Sequence, residues 1–304
     1  MKQYHDLLKH VLENGTDNSD RTGVGTRSVF GYQMRFDLQQ GFPLVTTKKV
    51  SFRFIVEELI WFLNGCKGGI AALKEKGVTI WNEWEHLEVP GVIVPYGNMW
   101  REWKVTENEF IGEKDCYAGR SRRQNLGKIM IWKSKGSVYG WYIDQILDLI
   151  ESIEYDRHSR RHILESWNVG EINNFVLPPC HKTAQFHVNN GKLSCMLYMR
   201  SNDLFLGCPY NIAQYALLTQ IIANICGLEL GELIYTIGDA HIYLNHIEQV
   251  KLQLSRDFRD LPTVAINRKL SASDLDLSNF ILSYADFTLH NYNPHPKIDA
   301  PVAV

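Results

Sequence analysis

The sequence predicts an α+β protein, and two sets of apolar patterns carry this prediction. Four stretches have the apolar patterns of helices: residues 2–14, 53–63, 141–153 and 212–226. Five stretches are strand-like: residues 28–36, 162–167, 184–188, 192–199 and 232–237. Because these stretches do not alternate as regular βαβ units, the pattern favours an α+β domain over a doubly wound one.

The length and composition fit one large domain or a core domain with an elaboration, and we expect a single domain spanning residues 1–304. Hydrophobic residues make up 45% of the chain, which allows a sizeable core. The formal net charge is -2, so positive charge for any anionic ligand must be concentrated locally. No apolar run approaches the roughly 20 residues of a spanning helix, and the N-terminus lacks the apolar segment of a signal peptide. We therefore expect a cytoplasmic protein.

A glycine-rich loop separates the first predicted helix from the first predicted strand. Gly15 ends the helical pattern, and residues 20–26 lead into the strand-like run. The loop lacks the spacing of a Walker phosphate loop. Arg21 in this loop either lies solvated in an ordinary turn or contacts an anion, and the local pattern leaves both readings open.

The predicted helix over residues 53–63 is apolar almost all round, which is typical of a buried helix. At least one of Glu57 and Glu58 should therefore face inward. A buried carboxylate either finds partners or has a raised pKa, as a general acid or base requires. The alternative is one solvated glutamate and one paired with an arginine.

Aromatic residues are dense between residues 78 and 103. They are Trp81, Trp84, Tyr96, Trp100 and Trp103. Such rings either form core or wall a flat heteroaromatic ligand. The following residues, 104–138, carry eight Lys or Arg against four Asp or Glu and are rich in Ser and Gly, which indicates a surface insertion.

The second half of the chain contains a predicted hairpin and a long helix. Residues 189–191, Asn-Asn-Gly, join two strand-like runs as hairpin turns do. Cys180 therefore lies just ahead of a sheet. Gly227 ends the long helix over residues 212–226, and Asn211 falls near its start.

Cys180 is the candidate nucleophile. Pro178 and Pro179 restrict the backbone before it, so the thiol is presented from a stiff turn. The six cysteines show no C-x-x-C pair, which argues against a structural zinc site or a disulfide framework, and no metal is expected. Residues 199–211 bring together an arginine, a hydroxyl, a carboxylate and an amide. If that segment folds beside Cys180, the resulting pocket suits a phosphorylated substrate.

Ordered motifs occur along nearly the whole chain. They are D-R-T-G-V-G-T, G-F-P-L-V-T-T-K, E-L-I-W-F-L, T-I-W-N-E-W, S-R-R, S-W-N-V-G-E, P-P-C-H, R-S-N-D-L-F-L-G, P-Y-N-I-A, G-D-A-H-I-Y-L-N-H and the terminal P-V-A-V. Together these motifs strongly resemble the thymidylate synthase family. The resemblance implies an α+β fold in which a large mixed sheet, with surrounding helices, packs against its twin in a homodimer with shared active sites.

The resemblance also assigns residues to the substrate, dUMP. It implies that Arg21, Arg200 and Ser201 hold the phosphate, and that Arg160 and Arg161 reach it from the neighbouring subunit. Such guanidinium groups should lower the pKa of the Cys180 thiol. His241 and Tyr243 are implied to hold the deoxyribose 3′-hydroxyl, and Asn211 to read O4 and N3 of the pyrimidine.

The implied chemistry starts with addition of the Cys180 thiolate to C6, which turns the ring into an enolate able to attack a one-carbon unit. That unit comes from 5,10-methylenetetrahydrofolate. Glu58 is implied to organise water and proton transfers, while Tyr96 and His181 shape the region near the thiol, with Asp203 also placed among the catalytic groups. The positions implied to line the folate side are Lys48, Trp81, Asp203, Gly207, Tyr210 and Val304.

Four positions depart from the usual family pattern. Ser51 stands where many relatives have a histidine near the folate, and Gln214 where a serine is common beside the pyrimidine. Pro95 lies in V-P-Y where P-V-Y is usual, and Tyr210 replaces a phenylalanine. None of them removes a catalytic group, but they bear on the folate pocket.

The leading hypothesis is reductive methylation of dUMP, in which the folate gives both carbon and hydride. Its nearest rival is a dUMP 5-hydroxymethylase, in which water captures the exocyclic methylene intermediate; Trp81 and the P-V-A-V terminus favour the synthase because they shield that intermediate. A thiol hydrolase using Cys180 with His241 or His246 explains neither the arginines nor Asn211. A non-catalytic nucleotide- or RNA-binding relative would not need Cys180 and Glu58.

Overall fold

The computed structural model describes residues 1–89, 92, 94–105, 130–135 and 138–303. Most of the insertion predicted at 104–138, and the predicted folate ligand Val304, lie outside these residues. The chain forms two compact units. The first contains Met1–Glu57, Cys180–Lys269 and the segment from Ser283 onward, and the second contains Glu58–Pro179 and Leu270–Leu282.

The described helices and strands confirm the α+β prediction. The helices are α1 Lys2–Asn14, α2 Phe52–Leu63, α3 Gly69–Glu75, α4 Gly97–Arg101, α5 Gln145–Tyr155, α6 Gly207–Cys226 and α7 Ile247–Leu254. The strands are β1 Thr16–Asn18, β2 Thr26–Asp37, β3 Trp103–Val105, β4 Met130–Lys135, β5 Val138–Ile143, β6 Ile163–Glu165, β7 His181–Asn189, β8 Lys192–Asp203, β9 Glu229–Tyr243, β10 Thr263–Ile266 and β11 Phe287–His290.

A mixed sheet organises the first unit, where its strands lie in the order β1-β2-β9-β8-β7. Strand β9 is antiparallel to β2 and parallel to β8, and β7 is antiparallel to β8. Helix α6 packs on β8 and β9 and is buried along most of its length, as its apolar sequence predicts. Gly227 ends α6 in the left-handed conformation, with φ of 64°.

The β7–β8 hairpin forms as predicted. Asn189 pairs with Lys192, so Asn190 and Gly191 form a two-residue turn. Both have positive φ, 49° and 75°, as the tight turns that match strand twist require. The turn therefore fixes the register of β7 and β8 as far as Thr183, and a register shift between His181 and Thr183 sets the pairing next to Cys180.

Strand β9 extends beyond its predicted end at residue 237 and continues to Tyr243. It pairs with β2 on one side and with β8 on the other, and this pairing overrides the local turn signal of Gly238. A β-carbon at Gly238 would lie 2.8 Å from the Arg200 carbonyl oxygen, so glycine permits the close approach of the two strands. The extension places Asp239, His241 and Tyr243 on a strand.

The helix predicted over residues 141–153 begins later than expected. Residues 141–143 end β5, and α5 begins at Gln145. The Asp144 side chain accepts a hydrogen bond from the Leu147 amide and caps the helix. The prediction was wrong at this boundary because apolar spacing alone does not separate a strand end from the first helical turn.

The second unit contains α3, α4, α5, β6 and a small sheet with the strand order β3-β5-β4. Its aromatic residues form core, since the rings of Trp61, Phe62, Trp81, Tyr96 and Trp100 pack against one another. Helix α2 crosses the boundary between the units. Within the described part of the chain, no helix combines the length and apolarity needed to span a bilayer.

A buried ion pair joins α4 to the start of α5. Arg101 donates from Nε and Nη2 to the two Asp144 carboxylate oxygens at 2.9 and 2.7 Å, and both side chains are almost inaccessible to water. Arg101 also donates to the carbonyl oxygens of Leu63 and Leu275. Burial raises the pKa of Asp144, although the Arg101 charge opposes this shift. The arginine thus links four segments of the unit.

We predict that Asp144→Ala lowers the free energy of unfolding by about 3–5 kcal/mol, because it leaves a buried guanidinium unpaired. Urea denaturation followed by circular dichroism measures the change. The matched control is Glu85→Ala, which breaks the exposed Lys74–Glu85 pair of the same unit and should cost no more than about 1 kcal/mol. Equal losses in the two variants would contradict this role of Arg101.

Candidate active site

Four chain segments of the first unit meet at one edge of its sheet. Because β8 and β9 are parallel, their C-terminal ends lie side by side, with Asp203 opposite His241. Because β2 and β7 run the other way, their first residues lie at the same edge, with Thr26 opposite Tyr243 and His181 opposite Met199. The loop of Arg21 and the turn of Cys180 immediately precede these strands. The topology therefore brings Arg21, Arg200 and Ser201 to the same sheet edge as the predicted nucleophile, Cys180.

Cys180 lies directly beside Arg200. The Arg200 amide donates to the Cys180 carbonyl oxygen at 2.9 Å, which continues the pairing of β7 with β8. The Arg200 guanidinium donates from Nη2 to Cys180 Sγ at 3.6 Å. The thiol is partly accessible, whereas Cys66, Cys195, Cys208 and Cys226 are buried. A partly exposed thiol beside a guanidinium has the surroundings of a reactive cysteine.

Burial and charge act in opposite directions on the pKa of the Cys180 thiol. The charges of Arg200 and Arg21 lower the pKa, as expected. Burial raises it by more, so the net shift is upward. The thiolate loses hydration here, and the two guanidinium groups offset only part of that loss.

The Arg21 loop is held by Asp20. One Asp20 carboxylate oxygen accepts from the Gly25 amide at 2.9 Å, and the Thr22 hydroxyl donates to the same carboxylate. Gly25 has φ of 79°, and a β-carbon there would lie 2.9 Å from the Leu244 side chain. Arg21 is exposed, yet its charge affects the pKa values of both Cys180 and Tyr243. The loop thus presents a cation near the thiol.

A chain of side-chain hydrogen bonds runs inward from Asn211. Asn211 Nδ2 lies 3.0 Å from His181 Nε2, and Asn202 Nδ2 donates to Asn211 Oδ1 at 3.0 Å. The Tyr235 hydroxyl donates to Asn202 Oδ1 at 2.8 Å. Burial lowers the pKa of His181 to about 3, so its ring is neutral near pH 7. The amide of Asn211 is therefore held by partners on two sides.

His241 and Tyr243 lie at the end of β9. Their rings pack edge to face with centroids 5.2 Å apart, and His241 Nδ1 lies 3.6 Å from an Asp239 carboxylate oxygen. Burial raises the pKa of Tyr243 to about 12, so its hydroxyl stays protonated and can donate. Ser201 is partly buried on the neighbouring strand β8, where it pairs with Asp239.

The predicted folate-side residues of the first unit surround the turn between β8 and α6. Asp203 accepts from the Phe205 amide at 2.8 Å, and Gly207 is the first residue of α6, which also carries Tyr210. Lys48 is buried, donates to the Phe205 carbonyl oxygen and lies over the Phe205 ring. Burial lowers the pKa of Lys48 to about 7. Its assignment to the folate stays a prediction.

The other predicted site residues belong to the second unit. Trp81 Nε1 donates to Glu58 Oε1 at 2.6 Å, and both side chains are buried. Glu58 therefore faces inward and has a hydrogen-bond partner, which is one of the alternatives that the apolar helix predicted. Glu57 is buried as well. Tyr96 has φ of 61°, which is unusual for a residue with a side chain. Arg160 and Arg161 are exposed in the loop after α5. The roles of these residues stay predictions.

A comparison of the sequence with known protein families identifies the family of this chain. The sequence model described as thymidylate synthase matches residues 2–304. The chain belongs to the thymidylate synthase family. Membership in the thymidylate synthase family implies an enzyme that modifies C5 of dUMP, by methylation or hydroxymethylation, and that uses methylenetetrahydrofolate.

Sequence reasoning missed two residues of the site. Asn202 lies inside a quoted motif of the thymidylate synthase family but received no role, and Tyr235 was only part of a strand. Both are buried and polar, and each contributes to the hydrogen bonds behind Asn211. No signal in the sequence marks Asn202, because it lies between the polar residues Ser201 and Asp203 and its burial is seen only in the structure.

We predict that Arg200→Gln slows alkylation of Cys180 by iodoacetamide at pH 7.5, because removing the guanidinium raises the thiol pKa further. Mass spectrometry of the Cys180 peptide across a pH series measures both rate and pKa. Arg35→Gln is the control, since Arg35 pairs with Glu232 and does not contact the thiol. A lower pKa in Arg200→Gln than in the unmodified protein would contradict the assignment.

Proposed function

We propose that this protein methylates dUMP reductively to dTMP, with 5,10-methylenetetrahydrofolate giving both the carbon and the hydride and leaving as dihydrofolate. The observation that carries the proposal is the Cys180 thiol in contact with the Arg200 guanidinium, at a sheet edge that also presents Asn211, His241 and Tyr243. A nucleophile, an anion anchor and an amide meet there, as a pyrimidine nucleotide requires.

The Cys180 thiolate supplies the first step. It adds to C6 of the pyrimidine, and the ring electrons move to C5 and O4 as an enolate. C5 then attacks the one-carbon unit of the folate and loses its proton, and the bond between that carbon and the folate nitrogen breaks as the exocyclic methylene forms, with Cys180 still attached at C6. Hydride from the released tetrahydrofolate reduces the methylene to methyl, and the Cys180 thiolate leaves C6 as the C5–C6 double bond is restored. Arg200 favours the charged form of the sulfur in both the attack and the departure.

The phosphate and sugar of dUMP have candidate ligands of their own. Arg21, Arg200 and Ser201 offer guanidinium and hydroxyl donors at the sheet edge, which suit a phosphate dianion. His241 and Tyr243 offer polar groups to the deoxyribose hydroxyl. In this proposal Arg160 and Arg161 come from a second copy of the chain and complete the phosphate site.

A homodimer is part of the proposal because the mixed sheet exposes apolar side chains on one face. Met196 and Tyr198 are 42% and 37% exposed, whereas their neighbours Cys195, Leu197 and Met199 are buried on the opposite face. Met196 pairs with Ile234 on β9, which is partly exposed. A second copy packing sheet on sheet would remove this apolar face from water.

The choice of hydride over water rests on shielding of the methylene intermediate. Trp81 is buried among aromatic rings, and its indole binds Glu58, which fixes the direction of that carboxylate. An apolar wall beside one oriented carboxylate favours controlled proton transfer over attack by water. The buried Trp81 and its bond to Glu58 therefore support the synthase over a 5-hydroxymethylase.

We predict that dUMP and methylenetetrahydrofolate give dTMP and dihydrofolate in equal amounts, measured by the absorbance of dihydrofolate and by chromatography of the nucleotide. Cys180→Ala should lose at least about 10³-fold in kcat and still bind dUMP, because it removes the nucleophile alone. Cys226→Ala, a change at a buried thiol at the end of α6, should retain turnover.

Three results would contradict the proposal. A 5-hydroxymethyl product with regenerated tetrahydrofolate would replace the synthase by its nearest rival. Near-normal turnover by Cys180→Ala would remove the thiol from the mechanism. Failure of the folded protein to bind dUMP would contradict the substrate itself.

A further inference from the structure

We propose that Asn202 is a positioning residue that makes the site select uracil over cytosine, because it fixes which way the Asn211 amide points. Tyr235 takes part by orienting Asn202. The inference rests on the proposed function, in which Asn211 faces the pyrimidine edge.

The hydrogen bonds behind Asn211 come from three elements of the first unit. Asn202 ends β8, Tyr235 lies on β9, and Asn211 lies in the first turns of α6. Tyr235 is fully buried and Asn202 is 5% exposed, so water does not compete for their polar atoms. Gly207 covers the Asn202–Asn211 bond, since a β-carbon there would lie 3.6 Å from Asn202 Nδ2 and 3.5 Å from Asn211 Oδ1.

The three hydrogen bonds all run in the same direction, each donated from the Tyr235 end towards His181. The Tyr235 hydroxyl gives its single proton to Asn202 Oδ1, so Asn202 Nδ2 faces Asn211 and donates to Oδ1. Asn211 Nδ2 then faces His181 Nε2 at 3.0 Å. That nitrogen can accept because the ring is neutral. Each bond thus sets the orientation of the next group.

The orientation of the Asn211 amide decides which pyrimidine it matches. Its two neighbours use one lone pair of Oδ1 and one proton of Nδ2, so one lone pair and one proton remain for a ligand. Uracil offers an acceptor at position 4 and a donor at N3, whereas cytosine offers a donor at position 4 and an acceptor at N3. If the Asn211 amide rotated by 180°, its oxygen and nitrogen would change places, and it would match cytosine instead of uracil. An amide free to rotate would accept both bases, and a fixed amide selects one.

The decisive variant is Asn202→Asp. A carboxylate only accepts, so it would still accept from Tyr235 but would require Asn211 Nδ2, not Oδ1, to face it. The Asn211 amide would turn, and its Oδ1 would take a proton from the other neutral tautomer of His181. We expect the preference for dUMP over dCMP, as a ratio of dissociation constants, to fall at least about tenfold, because each mismatched edge loses paired donors and acceptors.

A second variant, Tyr235→Phe, removes only the hydroxyl that orients Asn202. It should lower the same ratio by about threefold or more, since Asn202 can then point either way. Tyr4→Phe is the matched control, because it removes a buried hydroxyl of the same unit that donates to the Leu204 carbonyl oxygen at 2.8 Å. Its ratio should equal that of the unmodified protein. Asn211→Asp is the positive control, because it changes the residue that contacts the pyrimidine edge.

Calorimetric titration of the full-length protein with dUMP and with dCMP measures the ratio without any turnover, and circular dichroism checks the fold. Ratios unchanged in both Asn202→Asp and Tyr235→Phe, with dUMP binding intact, would overturn the inference and leave the proposed function standing. If Asn202→Asp does not fold, an unchanged ratio in Tyr235→Phe is by itself enough to overturn the inference. If the unmodified protein binds no dUMP, the proposed function and this inference both fail.

Discussion

The contact between the Arg200 guanidinium and the Cys180 thiol is the interaction on which the rest of the site depends. It exists because the amide of Arg200 binds the carbonyl of Cys180 and so continues the ladder between β7 and β8. Any slip of that register by one residue would turn Arg200 to the other face of the sheet. The two-residue turn at Asn190 and Gly191 and the register shift between His181 and Thr183 together set this pairing, so both contribute to the chemistry of a thiol at the far end of the hairpin.

Burial and charge act against each other at the thiol. Loss of hydration raises the pKa of Cys180, and the charges of Arg200 and Arg21 oppose it. Removing either cation therefore leaves the thiol pKa higher and the thiolate less populated. The same depth that disfavours the thiolate excludes water, which strengthens every directed hydrogen bond nearby. His181 is neutral for this reason, and its neutrality lets it accept from the Asn211 amide.

Local sequence patterns predicted much of this fold. The features that they did not predict depend on pairing between residues that are distant in sequence. The hairpin, α1, α6 and the position of Cys180 ahead of β7 follow from turn residues and apolar spacing. The length of β9 does not, because its last residues are strand only by pairing with β2 and β8. Tyr235 and Asn202 are distant in sequence, and only the parallel register of β8 and β9 together with the turn into α6 brings them to Asn211. The net rise in the Cys180 pKa could not be predicted, because depth of burial cannot be read from spacing.

The most direct test of covalent attack by Cys180 on the pyrimidine is the fate of the hydrogen at C5. With C5-deuterated dUMP and methylenetetrahydrofolate, mass spectrometry of the recovered nucleotides and NMR of the solvent follow the release of deuterium. The account predicts release at the rate of product formation in the unmodified protein and none above background in Cys180→Ala. Release that is equally fast in Cys180→Ala would contradict it, because C5 would then be activated without the thiol.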